Sequence, residues 1–275
     1  MQLQPIGIFD SGFGGLTVLK SIVQQLREYD FIYLGDNARA PYGTRSFDTV
    51  HRYTLEAVEW FLRMNCPLVI LACNTASAKA LRTIQQKDLP ESEFSNRKVL
   101  GVIRPTTELI GRFSKTGSVG VLATPGTVQS ESYPIEIARF FPDLKVYQEA
   151  CPIWVPLIEN GEMENAGADF FIKKHLRALF EKSPDIDTVL LGCTHYPLMM
   201  EGIRRHLPDH VQILAQGEIV ASSLKDYLSR HPEIDDLCTR NGERYFYTTD
   251  SITEFDKKAA LFYGTAISSK KAILG

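Results

Sequence analysis

The chain has no basic tract and no acidic tail. Its 30 lysines and arginines stand against 33 aspartates and glutamates, a formal charge of −3. An electrostatic surface for nucleic acid is therefore not a favoured reading. No uninterrupted apolar stretch is long enough to cross a bilayer, which sets a membrane aside. The first residues, MQLQPIGIFDSG, have no basic region followed by an apolar run, so no signal peptide is read there and the expected address is cytoplasmic. Cysteine is scarce: Cys66, Cys73, Cys151, Cys193 and Cys238 are the five, and C-x-x-C does not occur. An odd count at low density argues against a disulfide framework. A structural zinc site, which needs four ligands usually in close pairs, is disfavoured for the same reason.

What is present is ordinary globular composition. With 275 residues, 44% of them hydrophobic, the chain can bury one large core or two moderate ones. Apolar runs alternate with amphipathic stretches from end to end. Strands are expected at Ile6–Phe9, Phe31–Leu34, Leu68–Ala72, Val99–Ile103, Ser118–Leu122, Leu144–Tyr147, Thr188–Leu191, Val211–Leu214 and Arg244–Thr249. Helical spacing marks Leu16–Leu26, Phe47–Met64, Thr75–Gln85, Ala168–Phe180, a stretch ending near Leu228, and Ile252–Tyr263. Strand–helix alternation of this kind implies an α/β fold with largely parallel sheets covered on both faces. In such sheets ligands gather beyond the carboxyl ends of the strands.

A weak internal repeat points to two similar α/β domains facing each other across a cleft in a pseudo-twofold arrangement. GIFDSGFGGLTV at 7–18 resembles GVLATPGTVQS at 120–130, with Ser11 and Thr124 at equivalent places. LACNTASA at 71–78 and LGCTHYPL at 191–198 form a second matched pair. The polar stretch Glu91–Lys98 marks the crossing into the second half, and Leu207–His210 the return. The expected domains are thus 1–97 plus 208–275, and 98–207.

The two cysteine motifs carry the chemistry. Each ends a strand with a thiol and follows it with small polar residues that can open a helix. The positive end of a helix lowers a thiol's pKa from about 8.5 towards neutrality. A free cysteine is most often a small buried hydrophobe, which is the reading for Cys66, Cys151 and Cys238. Two matched copies reverse that preference for Cys73 and Cys193. Asn74, Thr75 and Thr194 cap helices or offer donors to a carboxylate. Asp10 and Ser11 stand at the first strand's end, where Asp10 either caps the turn or orients a proton-transfer group. Pro41-Tyr42-Gly43 is a turn signal that can supply main-chain donors. His195 stands two residues past a thiol and can tune it. Two opposed thiols suit inversion of a carbon centre: one removes a proton, the other returns it to the opposite face. A single nucleophilic cysteine with His195 is the competing enzyme reading, and it leaves the second thiol without a task.

The motifs IGIFDSGFGGLTVL, LGDNARAPYG, ACNTASA, VLATPGTVQS, ACPIWVPLIENG and LGCTHYPL occur in this order over most of the chain. On these the sequence resembles the glutamate racemases of the cofactor-independent aspartate/glutamate racemase superfamily. The resemblance implies interconversion of L- and D-glutamate, with D-glutamate supplied for peptidoglycan. It implies Cys73 acting on D-glutamate and Cys193 on L-glutamate, with Asp10, His195 and Glu159 assisting. Ser11, Pro41, Tyr42, Gly43, Asn74, Thr75, Thr124 and Thr194 match substrate-binding positions. No pyridoxal phosphate, nucleotide or metal is implied, and members commonly form homodimers. Two stretches depart from the pattern: Arg104-Pro105 stands for E-P, and Ala215-Gln216-Gly217 for D-S-G. A racemase of aspartate or another acidic substrate, a non-catalytic acid-binding protein on the same fold, and a thiol hydrolase are the alternatives.

Overall fold

A computed structural model describes residues 3–274. Its strands are β1 (Ile6–Asp10), β2 (Phe31–Gly35), β3 (Leu68–Leu71), β4 (Lys98–Gly101), β5 (Ser118–Ala123), β6 (Lys145–Ala150), β7 (Thr188–Gly192), β8 (Gln212–Leu214), β9 (Arg244–Thr248) and β10 (Ser269–Lys271). They form two sheets, ordered β10-β9-β2-β1-β3-β4 and β6-β5-β7-β8. Every strand pairing among the described residues is parallel. The order β2-β1-β3-β4 in one sheet is repeated as β6-β5-β7-β8 in the other. The repeat seen between residues 7–18 and 120–130 therefore extends to topology: β1 matches β5, and β3 matches β7.

The central strands β1, β2, β3, β5 and β7 are buried along their whole length. Helices cover both sheet faces, so these strands read as unbroken apolar runs rather than alternating ones. The helix Phe47–Arg63 shows how a covering element is specified. Ser46 caps it by accepting the Thr49 N–H at 3.2 Å. Val50, Thr54, Ala57, Val58, Phe61 and Leu62 then fall on one buried stripe. Among the described residues no helix is long and apolar enough to cross a membrane.

Two local expectations are corrected, and one strand appears that none anticipated. The stretch Thr75–Gln85 is not one helix. It divides into Asn74–Lys79, Leu81–Thr83 and a π-helical turn Ile84–Asp88, with Ala80 at φ −119° between the first two. A slip of one residue in the hydrogen-bond ladder leaves the apolar spacing almost unchanged, so periodicity does not report it. The strand expected at Val99–Ile103 stops at Gly101, and Ile103 starts a helix whose first turn accommodates Pro105. The polar edge strand β10 carries no apolar pattern at all. Strand pairing also moves the crossings. β4 pairs with β3 and β8 with β7, so the chain changes sheet after Gly101 and returns after Leu214, rather than ahead of those strands.

Candidate active site

Strand ends supply the site, as parallel sheets dictate. Two residues past β3, Cys73 caps the helix Asn74–Lys79, its Sγ accepting the Ala76 N–H at 3.5 Å. The Ser11 hydroxyl lies 3.4 Å from the same sulfur. A depressed thiol pKa is the expectation from sequence, and here it is reversed. Burial, reinforced by the charge of Asp10, pushes the Cys73 thiol up to about 12. The Ser11 hydroxyl and the Ala76 N–H oppose this without overcoming it. A helix of six residues starting at so buried a thiol does not offset desolvation of the thiolate.

The second motif does not copy the first. After β7, Cys193-Thr194-His195 leads into a 3-10 turn, Tyr196–Met199, and only then into the helix Met200–Arg205. Cys193 Sγ faces His195 Nδ1 at 3.9 Å, and His195 Nε2 meets Glu159 Oε1 at 2.9 Å. Glu159 is the last residue of the helix Trp154–Glu159. Phe262 packs edge-on against the imidazole, with ring centroids 5.2 Å apart. Burial alone would lower the pKa of His195. The sulfur on one side and the carboxylate on the other outweigh burial and push it up to about 10. His195 is held between Cys193 and Glu159, a setting that favours its protonated form.

Asp10 joins the two halves. One carboxylate oxygen accepts the Gly12 N–H at 2.9 Å and the other the Thr194 hydroxyl at 3.3 Å. Burial raises its pKa, while the His195 charge and these donors pull the other way. It reaches Cys73 through charge and Thr194 through a hydrogen bond.

Further bonds stitch the same seam. The Thr17 hydroxyl donates to the Thr194 carbonyl at 2.9 Å, and the Thr75 and Thr124 hydroxyls meet at 3.0 Å. The Gly126 N–H donates to the Gly43 carbonyl at 2.7 Å. The closest approach is at Gly14, where a Cβ would overlap both Thr194 Oγ1 and His195 Nδ1. Gly14→Ala should therefore push the His195 segment off its position and lower turnover by about tenfold. Steady-state rates beside an unchanged melting profile would establish this, and wild-type turnover would refute it.

Not every expected residue presents its side chain. Tyr42 is buried and its hydroxyl donates to the Asp36 carboxylate, which also takes the Arg39 guanidinium at 2.6 Å and the Thr249 hydroxyl at 2.8 Å. Its phenol is committed to the fold, and the peptide before Pro41 is cis. The Asn74 amide is likewise occupied in part, by Gln216 at 2.7 Å and Tyr133 at 2.6 Å. Asn74 keeps its second amide N–H and its main-chain N–H, the latter in an open first turn, for a carboxylate. Gln216, Tyr133, Thr17 and Phe262 had no place in the expected site. Only Gln216 carried a signal, as a departure from a motif. Among the described residues no group of three or more His, Cys, Asp or Glu could hold a metal ion. A cavity of about 600 Å³ lies elsewhere, lined in part by Ser77, Arg82, Arg104, Pro105, Glu136 and Tyr227.

Comparison with known proteins shows the family of the chain. Residues 6–224 match the Asp/Glu/Hydantoin racemase family. A glutamate racemase from Geobacter metallireducens is 38% identical over 96% of this chain and 94% of its own length. The crystal structure of a glutamate racemase from Bacillus anthracis superposes with a TM-score of 0.89 at 33% identity, covering 99% of this chain and 98% of that one. A glutamate racemase from Francisella tularensis, solved in complex with D-glutamate, gives 0.85 at 31% identity, covering 100% of this chain and 98% of that one. The chain belongs to the Asp/Glu/Hydantoin racemase family, and within it stands with the glutamate racemases.

Proposed function

We propose that the two thiols exchange the configuration of glutamate by removing and returning the Cα proton on opposite faces. The relatives supply the substrate; the observation that carries the mechanism is the unequal pair of environments. Cys193 lies 3.9 Å from His195, whose imidazole the sulfur and Glu159 bias toward its protonated form, whereas burial pushes the Cys73 thiol up. A base and an acid stand ready in one site without a redox step.

In the L-to-D direction the Cys193 thiolate takes the Cα proton and becomes a thiol. The electron pair left on Cα spreads into the substrate carboxylate, which needs donors aimed at it. The main-chain N–H groups at the start of the Asn74 helix and the threonine hydroxyls of the seam are suited to this. The Cys73 thiol then gives its proton to the other face and becomes a thiolate, which the charge of Asp10 makes reactive. After the product leaves, Cys193 gives its proton to solvent and Cys73 takes one up, which restores the starting state; D-glutamate meeting the enzyme before that reset runs the reverse reaction. Glu159 and His195 hold the charge on the Cys193 side.

The two sheets with their helices act as two domains, 3–101 with 215–274, and 102–214. D-glutamate made in the cytoplasm would feed peptidoglycan. The test is direct: protein in deuterium oxide, given L- or D-glutamate and no added cofactor. Deuterium should enter Cα as the opposite enantiomer forms. Absence of inversion, or faster turnover of aspartate, would overturn the reading.

A further inference from the structure

Gln216 departs from the family motif, and no part of the proposed chemistry uses it. It opens the helix Gln216–Arg230 just after the chain has left the second sheet, and it is 3% exposed. Its Oε1 accepts from Asn74 Nδ2 at 2.7 Å. Its Nε2 serves the Val102 carbonyl at 3.1 Å, Thr106 Oγ1 at 3.1 Å and the Tyr133 hydroxyl at 2.9 Å. Tyr133 in turn donates to Asn74 Oδ1 at 2.6 Å. Asn74 donates to Gln216, Gln216 to Tyr133, and Tyr133 to Asn74. The three side chains close a ring in which each gives one bond and takes one, an arrangement in which the bonds strengthen one another.

The corners of this ring are what give it meaning. Asn74 follows Cys73 directly. The Tyr133 ring lies so close to Gly192, the residue before Cys193, that a Cβ there would sit 3.1 Å from Tyr133 Cε2. Gln216 itself ties the two passages between sheets together, since Val102 follows the first and Gln216 the second. One side chain thus connects both thiol carriers and both crossings.

We propose that Gln216 is a positioning residue that sets the gap between the two sulfurs. The inference rests on the two-thiol reading of the site. Inversion needs both sulfurs within reach of one carbon at once, and an error of about 1 Å can cost on the order of 100-fold. Removal of one proton needs only one sulfur in place. A residue that sets the gap therefore controls the partition of the carbanion between inversion and return. Only a neutral amide of this length both accepts from Asn74 and donates to Tyr133. A carboxylate at 216 accepts but does not donate, and a leucine does neither.

The experiment compares wild type, Gln216→Leu, Gln216→Glu and Tyr133→Phe in deuterium oxide, starting from each enantiomer. It reads the ratio of deuterium in recovered substrate to inverted product. In the variants the longer-lived carbanion lets the proton-removing sulfur exchange its new S–H with solvent deuterium and return a deuteron before the other can act, so the ratio should rise by about tenfold. A simple loss of folded protein lowers exchange and inversion together and leaves the ratio fixed. Should Gln216→Leu fail to fold, Tyr133→Phe, which removes one oxygen, carries the test. A ratio within about twofold of wild type in the folded variants, at wild-type inversion rates or below them, overturns the proposal. Absence of inversion in wild type would instead overturn the racemase reading, and this inference with it.

Discussion

Cys73→Ser and Cys193→Ser should each lower inversion by roughly 1,000-fold or more, since positioned acid–base groups contribute about 10²–10⁴-fold and a hydroxyl is a poor substitute for either form of the thiol. The two variants should nonetheless differ. With Cys193 intact, Cys73→Ser still removes the proton of L-glutamate, the new S–H exchanges with solvent deuterium, and the deuteron returns to the same face, so L-glutamate gains deuterium without inverting. Cys193→Ser should do the same for D-glutamate alone. L- and D-glutamate have equal free energy in achiral solvent. The ratio kcat/KM must therefore fall equally in both directions for every variant, and only exchange distinguishes the faces. Either variant inverting at the wild-type rate would end the two-thiol scheme.

His195→Asn should cost about 100-fold or more, because Cys193 then loses the positive charge beside it. The pH dependence follows from the direction of the His195 shift. Its pKa is raised from the ordinary 6.5 to about 10. The stabilising contribution of the imidazolium is therefore complete below pH 6.5 and is lost as pH rises through about 10. Wild-type kcat/KM should fall on the alkaline side in that range. Glu159→Gln removes one of the two groups holding the proton. It should move the alkaline limb down by roughly one unit, the scale expected for losing one charge-assisted bond. Thermal melting of the same variant should show stability lost at correspondingly lower pH. An alkaline limb that stays in place in Glu159→Gln would remove His195 from the assignment.

The legible part of this molecule is the part encoded locally. Ile6–Asp10, Phe31–Gly35 and Thr188–Gly192 are short apolar runs between polar turns, and a strand buried on both faces has no other way to appear. The cysteines were readable because each follows such a strand, and a parallel sheet aligns all its carboxyl ends. Glu159, beside His195, was accessible only through family resemblance, since 36 residues separate them. What stayed hidden depends on distance in the sequence or on desolvation. The Asn74–Gln216 bond spans 142 residues and the Asn74–Tyr133 bond 59, and neither partner advertises the other. The raised pKa of Cys73 was missed because a helix start argues for lowering, and burial, the stronger effect, is a property of the packed site. The 3-10 turn after His195 was missed because LGCTHYPL has the same opening as LACNTASA, although Pro197 then tightens the turn.

Cys73 and Cys193 are each only 6% exposed. On the two-thiol reading, sulfurs buried to this extent meet the amino acid only after the surrounding segments open, so opening gates both entry and release. Apparent affinity is then the intrinsic affinity scaled by the open fraction of the population. A tighter seam would sharpen the chemistry and slow the traffic, which places an upper bound on how firmly the two halves can be fastened.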